Sequence, residues 1–329
     1  MTAPASPGAV RASRQAEASG EVISGATIGF VGLGNMGEPM VRRLAAAGYR
    51  VRGYDVAGHA RDRLAGTPGV TITGMVGEVA EGADAVILML PDSGAVESVL
   101  LGDRLLGDRL LGDGLLGDGL LARIRPPALV ADMSSSEPSR TRALAERAAG
   151  AGVTLIDAPV SGGVVGARAG SLTIMTGGSA DALARLRPVL EVFGAKIVHA
   201  GELPGAGHAI KALNNLMSAA HLLVSAEAIL AGQAFGLDPA LMIDIVNGSS
   251  GRSGSTETKW PRYILPARFD SGFSMRFMVK DMRIALQLAE AAGTPAEVSR
   301  AALDAWARAA ETMPPGADHT EIAAWLQQG

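Results

Sequence analysis

The sequence predicts an α/β chain: a doubly wound parallel sheet followed by an all-α C-terminal domain. Two observations carry this. Between Ala26 and His199, short β-rich runs alternate with helical patterns, which is the mark of a parallel sheet with helices on both faces. After His199 the β-rich runs stop and only helical patterns remain. A length of 329 residues agrees with about two domains. The expected boundaries are a flexible tail at 1–24, the α/β domain at 25–198 and the helical domain at 199–329.

Residues 1–24 are rich in Pro, Ala, Ser and Gly and lack an apolar h-region, so they read as a tail and not as a secretory signal. Thr27–Val31 is a short buried strand. Met36–Ala47 follows as a helix, with Pro39 in its first turn and Gly48 closing it. Arg50–Tyr54 is the second strand. The further β-rich runs are Ala85–Leu90, Ala128–Asp132, Thr154–Asp157, Leu172–Thr176 and Lys196–His199. Gly207–Phe235 reads as one long helix, apolar nearly all round, of the kind buried between helices or subunits. Leu241–Val246, Phe277–Ala292 and Ala296–Thr312 complete the helical part. The longest apolar run, Ala219–Ala231, is broken by His221 and Glu227, so no membrane span is expected.

One segment breaks the pattern. Over Leu100–Leu121 the unit Leu-Leu-Gly-Asp-(Arg/Gly) repeats four times with a period of five. Five residues turn a helix by about 500°, so successive leucine pairs are offset by about 140° and form no stripe. In a strand an odd period changes face at every repeat. With a Gly-Asp turn signal in each unit, the segment reads as a tandem duplication in a tolerant surface loop. Its placement after the helix that follows Pro91 puts it away from the catalytic edge of the sheet. A Gly-Asp-rich metal-binding repeat is the other reading.

Composition narrows function. Net charge is −4, the isoelectric point is about 5.8 and aromatic residues are 4%. That argues against nucleic acid as the main partner, which calls for a basic stripe. The absence of cysteine removes disulfides, thiolate nucleophiles and thiolate zinc sites, and fits a reducing cytoplasm. His59, His199, His208, His221 and His319 are scattered without ligand spacing, so no metal site is expected.

Gly32-Leu33-Gly34-Asn35-Met36-Gly37 is the strongest local motif. It follows a strand and opens a helix, the setting a dinucleotide fingerprint requires. Gly32 makes the tight turn, Gly34 admits a pyrophosphate to the backbone, and Gly37 lets helix and strand pack closely. The helix N-terminus then offers its N–H groups to the phosphates. Asp55, at the end of the second strand, can accept bonds from ribose hydroxyls and repel a 2′-phosphate. This favours NAD, with NADP possible because Arg50, Arg52 and Arg61 soften the repulsion. Leu90-Pro91 and Ser134-Ser135 end later strands near the topological switch point; the serines suit a ribose contact or a helix cap equally.

Asp157-Ala158-Pro159-Val160-Ser161-Gly162-Gly163 runs from a strand into a turn. Ser161 and the backbone of Gly162 and Gly163 suit either a simple turn or a carboxylate nest. Lys211 and Asn215 lie four apart on one face of the long helix. Burial and the positive helix terminus would both lower the lysine's pKa and suit it to proton transfer; a head group reaching solvent is the alternative. Lys280-Asp281 opens a later helix, after Phe273 and Phe277, and reads by itself as an exposed charge pair.

Together these residues resemble the β-hydroxyacid dehydrogenase family, the 3-hydroxyisobutyrate dehydrogenases in particular. The match rests on Gly32–Gly37, Asp157–Gly163 with Gly170-Ser171-Leu172-Thr173, Gly207 with Lys211 and Asn215, and Lys280-Asp281. Asn247–Arg252 and Gly272-Phe273 also fit. The resemblance implies a Rossmann-type domain plus a helical domain, with the site in the cleft between them. It implies hydride transfer between NAD and a small 3-hydroxy acid. Lys211 would be the general acid/base and Asn215 would help fix the substrate. Ser161, Gly162 and Gly163 would hold its carboxylate. Leu90, Pro91, Ala95 and Ser135, with Phe273 and Lys280, would line the cofactor. Family members are dimers or tetramers through the helical domain.

The rivals are tartronate semialdehyde reductase or a related sugar-acid dehydrogenase, an imine reductase, and a non-enzymatic binding module. Lys211 argues against the last two.

Overall fold

The computed structural model describes residues 25–102 and 119–328. The tail at 1–24 and residues 103–118 of the repeat lie outside the described residues. The chain forms two compact units that divide between Lys211 and Ala212.

The first unit is built on β1 (Thr27–Val31), β2 (Arg50–Tyr54), β3 (Val70–Ile72), β4 (Ala85–Leu88), β5 (Leu129–Asp132), β6 (Thr154–Asp157), β7 (Val160–Ser161), β8 (Leu172–Gly177) and β9 (Gly194–Gly201). Its helices are α1 (Gly37–Ala46), α2 (Gly58–Asp62), α3 (Ser93–Leu101), α4 (Pro138–Gly150), α5 (Gly163–Ala169) and α6 (Ala180–Glu191). The strand order is β3-β2-β1-β4-β5-β6-β8-β7, and β9 pairs with β8.

Period-two alternation sorts the strand residues onto two faces. Ile28, Phe30, Ile87, Ala131 and Ile156 join Met40, Val41 and Leu44 of α1 and Leu183, Leu186 and Leu190 of α6 in one core. Val31, Val86, Leu88, Val130 and Leu155 join Val96 and Val99 of α3 and Leu144 of α4 in the other. Both faces are therefore covered, as parallel strands require.

The sheet is predominantly parallel, as expected, with a reversal at one side. β3 to β6 are parallel, but β8 runs antiparallel to β6 and β7, and β9 is parallel to β8. The reversal has a positional consequence. Asp157 at the end of β6 pairs with Gly177 at the end of β8, and Gly177 pairs with Gly201 at the end of β9. The last residues of β5, β6, β8 and β9 thus converge at one edge, and the next helix begins there.

That helix, α7 (Ala206–Phe235), is followed by α8 (Pro239–Asn247), a π-helical segment (Ser255–Ile264), α9 (Met275–Ala291), α10 (Glu297–Thr312) and α11 (Ile322–Leu326). The second unit's core joins Ala212, Ala219, Leu222, Ala226 and Ile229 of α7 to Met278 and Met282 of α9 and Trp306 of α10. Alanines on α7 let the Trp306 indole reach its backbone: Nε1 donates to the Ala219 carbonyl at 3.2 Å. Trp260 Nε1 likewise donates to Ser225 Oγ at 2.9 Å.

Two expectations about α7 change. Its 18-residue window reaches a mean hydropathy of 1.3, so by length and composition it is apolar enough to cross a membrane, although its alanine and leucine face is the unit's core. It is also not buried all round: Leu213, Met217 and Val224 are exposed.

Candidate active site

Gly32 follows β1 with φ +97°, and its N–H donates to the Tyr54 carbonyl at 2.9 Å. A Cβ at Gly32 would collide with the Met89 carbonyl, and one at Gly37 with the Gly32 carbonyl. Those glycines let the chain turn and α1 close onto β1. Gly34 differs: a Cβ there meets nothing within 4 Å. Its backbone lies open at the sheet edge, beside exposed Asn35 and the start of α1. Open backbone at a helix N-terminus is the cradle a pyrophosphate needs.

Asp55 directly follows β2, its carboxylate fixed from both sides. Oδ2 accepts the Leu33 N–H at 2.7 Å and Oδ1 accepts the Ala57 N–H at 2.8 Å. The further lone pairs of both oxygens suit ribose hydroxyls. The nearby arginines bond to the protein. Arg61 donates to the Asp55 carbonyl and lies over the Tyr54 ring, Arg63 bridges Glu38 and the Leu33 carbonyl, and Arg52 bonds to Glu78 and Glu81. Arg50 reaches Thr27 at the opposite end of β2. The residues present fit an adenine dinucleotide.

Leu90 and Ser134 are joined, the Leu90 N–H donating to Ser134 Oγ at 2.9 Å. Asp132 folds the turn below by accepting from the Ser134 N–H and the Ser136 hydroxyl. Asp92 caps α3 by accepting the Ala95 N–H at 2.9 Å. Pro91 is exposed; Leu90, Ala95 and Ser135 are half-buried. Gly162 and Gly163 have φ +129° and +61°, turning the backbone after half-buried Ser161. Lys211 is only 9% exposed.

In the second unit Asn215 is buried and its Nδ2 donates to Asp281 Oδ2 at 2.6 Å. A carboxylate can only accept, so this bond fixes the amide and turns Oδ1 the other way. Asp281 is 1% exposed and is not the surface partner expected from sequence. Lys280 Nζ lies 3.4 Å from Asp281 Oδ1 and 5.6 Å from the Phe277 ring centroid. Phe273 meets the His319 ring edge to face at 5.7 Å. His319 is pushed down to about 4, chiefly by burial and next by the Lys259 ammonium, against the opposing pull of Asp318. Asp318 is held below the usual carboxylate range because bonds from Thr320 and Ser271 outweigh its burial. Among the described residues no group of three or more His, Asp or Glu could hold a metal ion.

Residues 27–201 match the model for the NAD binding domain of 6-phosphogluconate dehydrogenase, and residues 205–326 match that for the NAD-binding domain of NADP-dependent 3-hydroxyisobutyrate dehydrogenase. The chain is 40% identical over 281 residues to the 3-hydroxyisobutyrate dehydrogenase of Pseudomonas aeruginosa, covering 82% of this chain and 87% of that one. The chain belongs to the 3-hydroxyisobutyrate dehydrogenase family. It is also 37% identical to the NAD-dependent L-serine dehydrogenase of Pseudomonas aeruginosa, covering 84% of this chain and 89% of that one. The structure of Mycobacterium tuberculosis 3-hydroxyisobutyrate dehydrogenase with L-serine superimposes with a TM-score of 0.80 at 34% identity, covering 92% of this chain and 99% of that one.

This family member is thus an NAD(P)-dependent dehydrogenase acting on a CH–OH group. Of the site residues expected from sequence, Gly34, Asn35 and Asp55 lie at the carboxyl edge of the first sheet. Leu33 does not present its side chain, which is fully buried in the core. The roles of two polar residues were not read from sequence: Asp281, singled out beside Lys280 but taken by itself as half of an exposed charge pair, holds Asn215, and His208 is buried one turn before Lys211. Their partners lie 66 and about 50–75 residues away, so no local pattern reveals them.

Proposed function

We propose that the enzyme oxidises a small 3-hydroxy acid of the 3-hydroxyisobutyrate type, with Lys211 as general acid/base. The carrying observation is the pairing of two nearly buried polar residues one turn apart on α7, Lys211 and Asn215, the latter fixed by Asp281. A lysine so shielded is suited to take the proton from the substrate hydroxyl as the carbon–hydrogen bond breaks. Asn215, with Oδ1 turned from Asp281, accepts a hydrogen bond from the substrate or the lysine. Ser161 and the backbone N–H groups of Gly162 and Gly163 receive the substrate carboxylate. Bound NAD supplies the hydride acceptor. Gly34 and Asp55 would receive its pyrophosphate and ribose, Leu90, Pro91, Ala95 and Ser135 would line it, and the resemblance to the family assigns Phe273 and Lys280 to the cofactor as well.

Asp55 supports a preference for NAD over NADP. Exposed Leu213, Met217 and Val224 support a homodimer or homotetramer through the helical unit. The lack of cysteine supports a cytoplasmic setting.

The test is NAD reduction over a panel containing 3-hydroxyisobutyrate, 3-hydroxypropionate, L-serine and glycerate, with tartronate semialdehyde assayed in reverse. The expected result is highest kcat/KM for a branched 3-hydroxy monocarboxylate. A highest kcat/KM for L-serine, glycerate or tartronate semialdehyde overturns the reading.

A further inference from the structure

Asp132 and Asp157 end adjacent parallel strands and pair in register. Their side chains are 1% and 0% exposed. Asp157 serves α7 as a cap supplied from the sheet: Oδ1 accepts the Gly205 N–H at 2.6 Å and Oδ2 the His208 N–H at 2.8 Å. A negative group at that position also complements the helix dipole. Gly177 and Gly207 make the room, since a Cβ on either would come within 2.5–2.8 Å of the Asp157 carboxylate.

The His208 ring completes the arrangement. Nε2 lies 3.0 Å from the Ser134 carbonyl, and Nδ1 lies 2.9 Å from Thr141 Oγ1 on α4. A carbonyl only accepts, so Nε2 carries a proton and donates. Asp132 and Asp157 flank the ring at 3.7 and 3.9 Å. The same Ser134 accepts the Leu90 N–H through its hydroxyl. One imidazole therefore ties the first turn of α7 to the backbone at Leu90 and Ser134.

We propose that His208 is a positioning residue: wedged among Asp132, Asp157, Ser134 and Thr141, it sets where Lys211 stands relative to the Leu90–Ser135 edge. Lys211 follows His208 by three residues, about 4.5 Å along the helix and nearly on the same face. A ring bonded at both nitrogens, with its own N–H also bonded, leaves that turn no freedom to rotate or slide. Hydride and proton transfer need donor and acceptor held to a fraction of an ångström. The proposal rests on the assignment of Lys211 as general acid/base.

The test compares His208→Leu and His208→Gln with the wild-type enzyme, counting sites by NAD titration and checking folding by melting temperature. His208→Leu is expected to lower kcat per NAD-binding site by about a hundredfold, with KM for NAD within about twofold. The primary deuterium isotope effect from substrate labelled at the carbinol carbon should stay at or above the wild-type value, because the loss falls on hydride transfer. His208→Gln, whose amide reaches the Ser134 carbonyl, should recover about tenfold of the loss. Unchanged kcat in folded His208→Leu, or a fall with a lowered isotope effect, overturns the proposal. Should His208→Leu fail to fold, Thr141→Val removes the Nδ1 partner along with the hydroxyl's local bond to the Glu137 carbonyl, and unchanged kcat there also overturns the proposal. Full turnover in Lys211→Ala sinks the underlying assignment, whereas a dead Lys211→Ala with a normal His208→Leu sinks this inference alone.

Discussion

Lys211 is an ionisable side chain almost withdrawn from water on a helix rich in alanine and leucine. Burying such a group costs stability unless it is paired or hydrogen-bonded, and a shielded amine is suited to proton transfer. Lys211→Ala should therefore lower kcat by about two to four orders of magnitude while NAD still binds; stopped-flow NAD reduction and NAD titration check both halves. His319 yields a different prediction. Its ordinary value of 6.5 falls to about 4 in the fold. Between those values the unfolded chain holds a proton that the folded chain refuses, so this residue's contribution is full above about 6.5 and is lost as pH falls toward about 4. The loss is a few kcal/mol at most. Melting temperatures from pH 7.5 to 4.5 should drop more steeply for wild type than for His319→Gln. At this scale sequence reading succeeds where chemistry is written locally. Gly32, Gly34 and Gly37 declare themselves within six residues. Asp281 and His208 act through partners far along the chain, so the Lys280-Asp281 pair shows nothing locally of its bond to Asn215, and nothing near His208 marks it.

Among elements, the β1–α1 turn and the end of β2 act as one device. Asp55 holds the Leu33 N–H, so the glycine turn and the ribose-facing carboxylate fix each other. Asp55→Asn should raise KM for NAD about tenfold or more and narrow its advantage over NADP; kcat/KM for both cofactors measures it. A larger advantage for NAD in the variant would contradict the role of the carboxylate. Most elements of the first unit were legible because buried strands and capped helices carry strong patterns. Thr27–Val31, Arg50–Tyr54 and Thr154–Asp157 fall where the residues place them. The direction of β8 was not legible. Leu172–Gly177 has the same apolar pattern whether it runs parallel or antiparallel, and only the tertiary pairing with β7 decides. The π-helical segment Ser255–Ile264 was missed because Pro261 argues against any helix there.

At the scale of the molecule, the exposed apolar stripe of α7 is a surface suited to another copy of the chain. Leu213, Met217 and Val224 recur at spacings of four and seven, on one side of the helix. Static light scattering should give a mass of two or four chains for the wild type, and Met217→Glu with Val224→Glu should give a single chain of unchanged far-UV circular dichroism. A wild-type monomer would refute the stripe as an interface.

The five-residue repeat has a bearing of another kind. Leu101 closes α3, and Gly119 resumes the chain directly against it: a Cβ on Gly119 would strike the Leu101 and Gly102 backbone. The two points where the chain leaves and re-enters are therefore neighbours, both held by the core through Leu100 and Leu120. Changing the length of chain between those two points costs little, since each doubling of a loop adds only about 0.6 kcal/mol. An experimenter can use the nearness of these two points. A fluorescent protein or an affinity tag spliced between Gly102 and Gly119 should leave kcat/KM for NAD within about twofold of wild type, which makes this stem the natural port for a genetically encoded label.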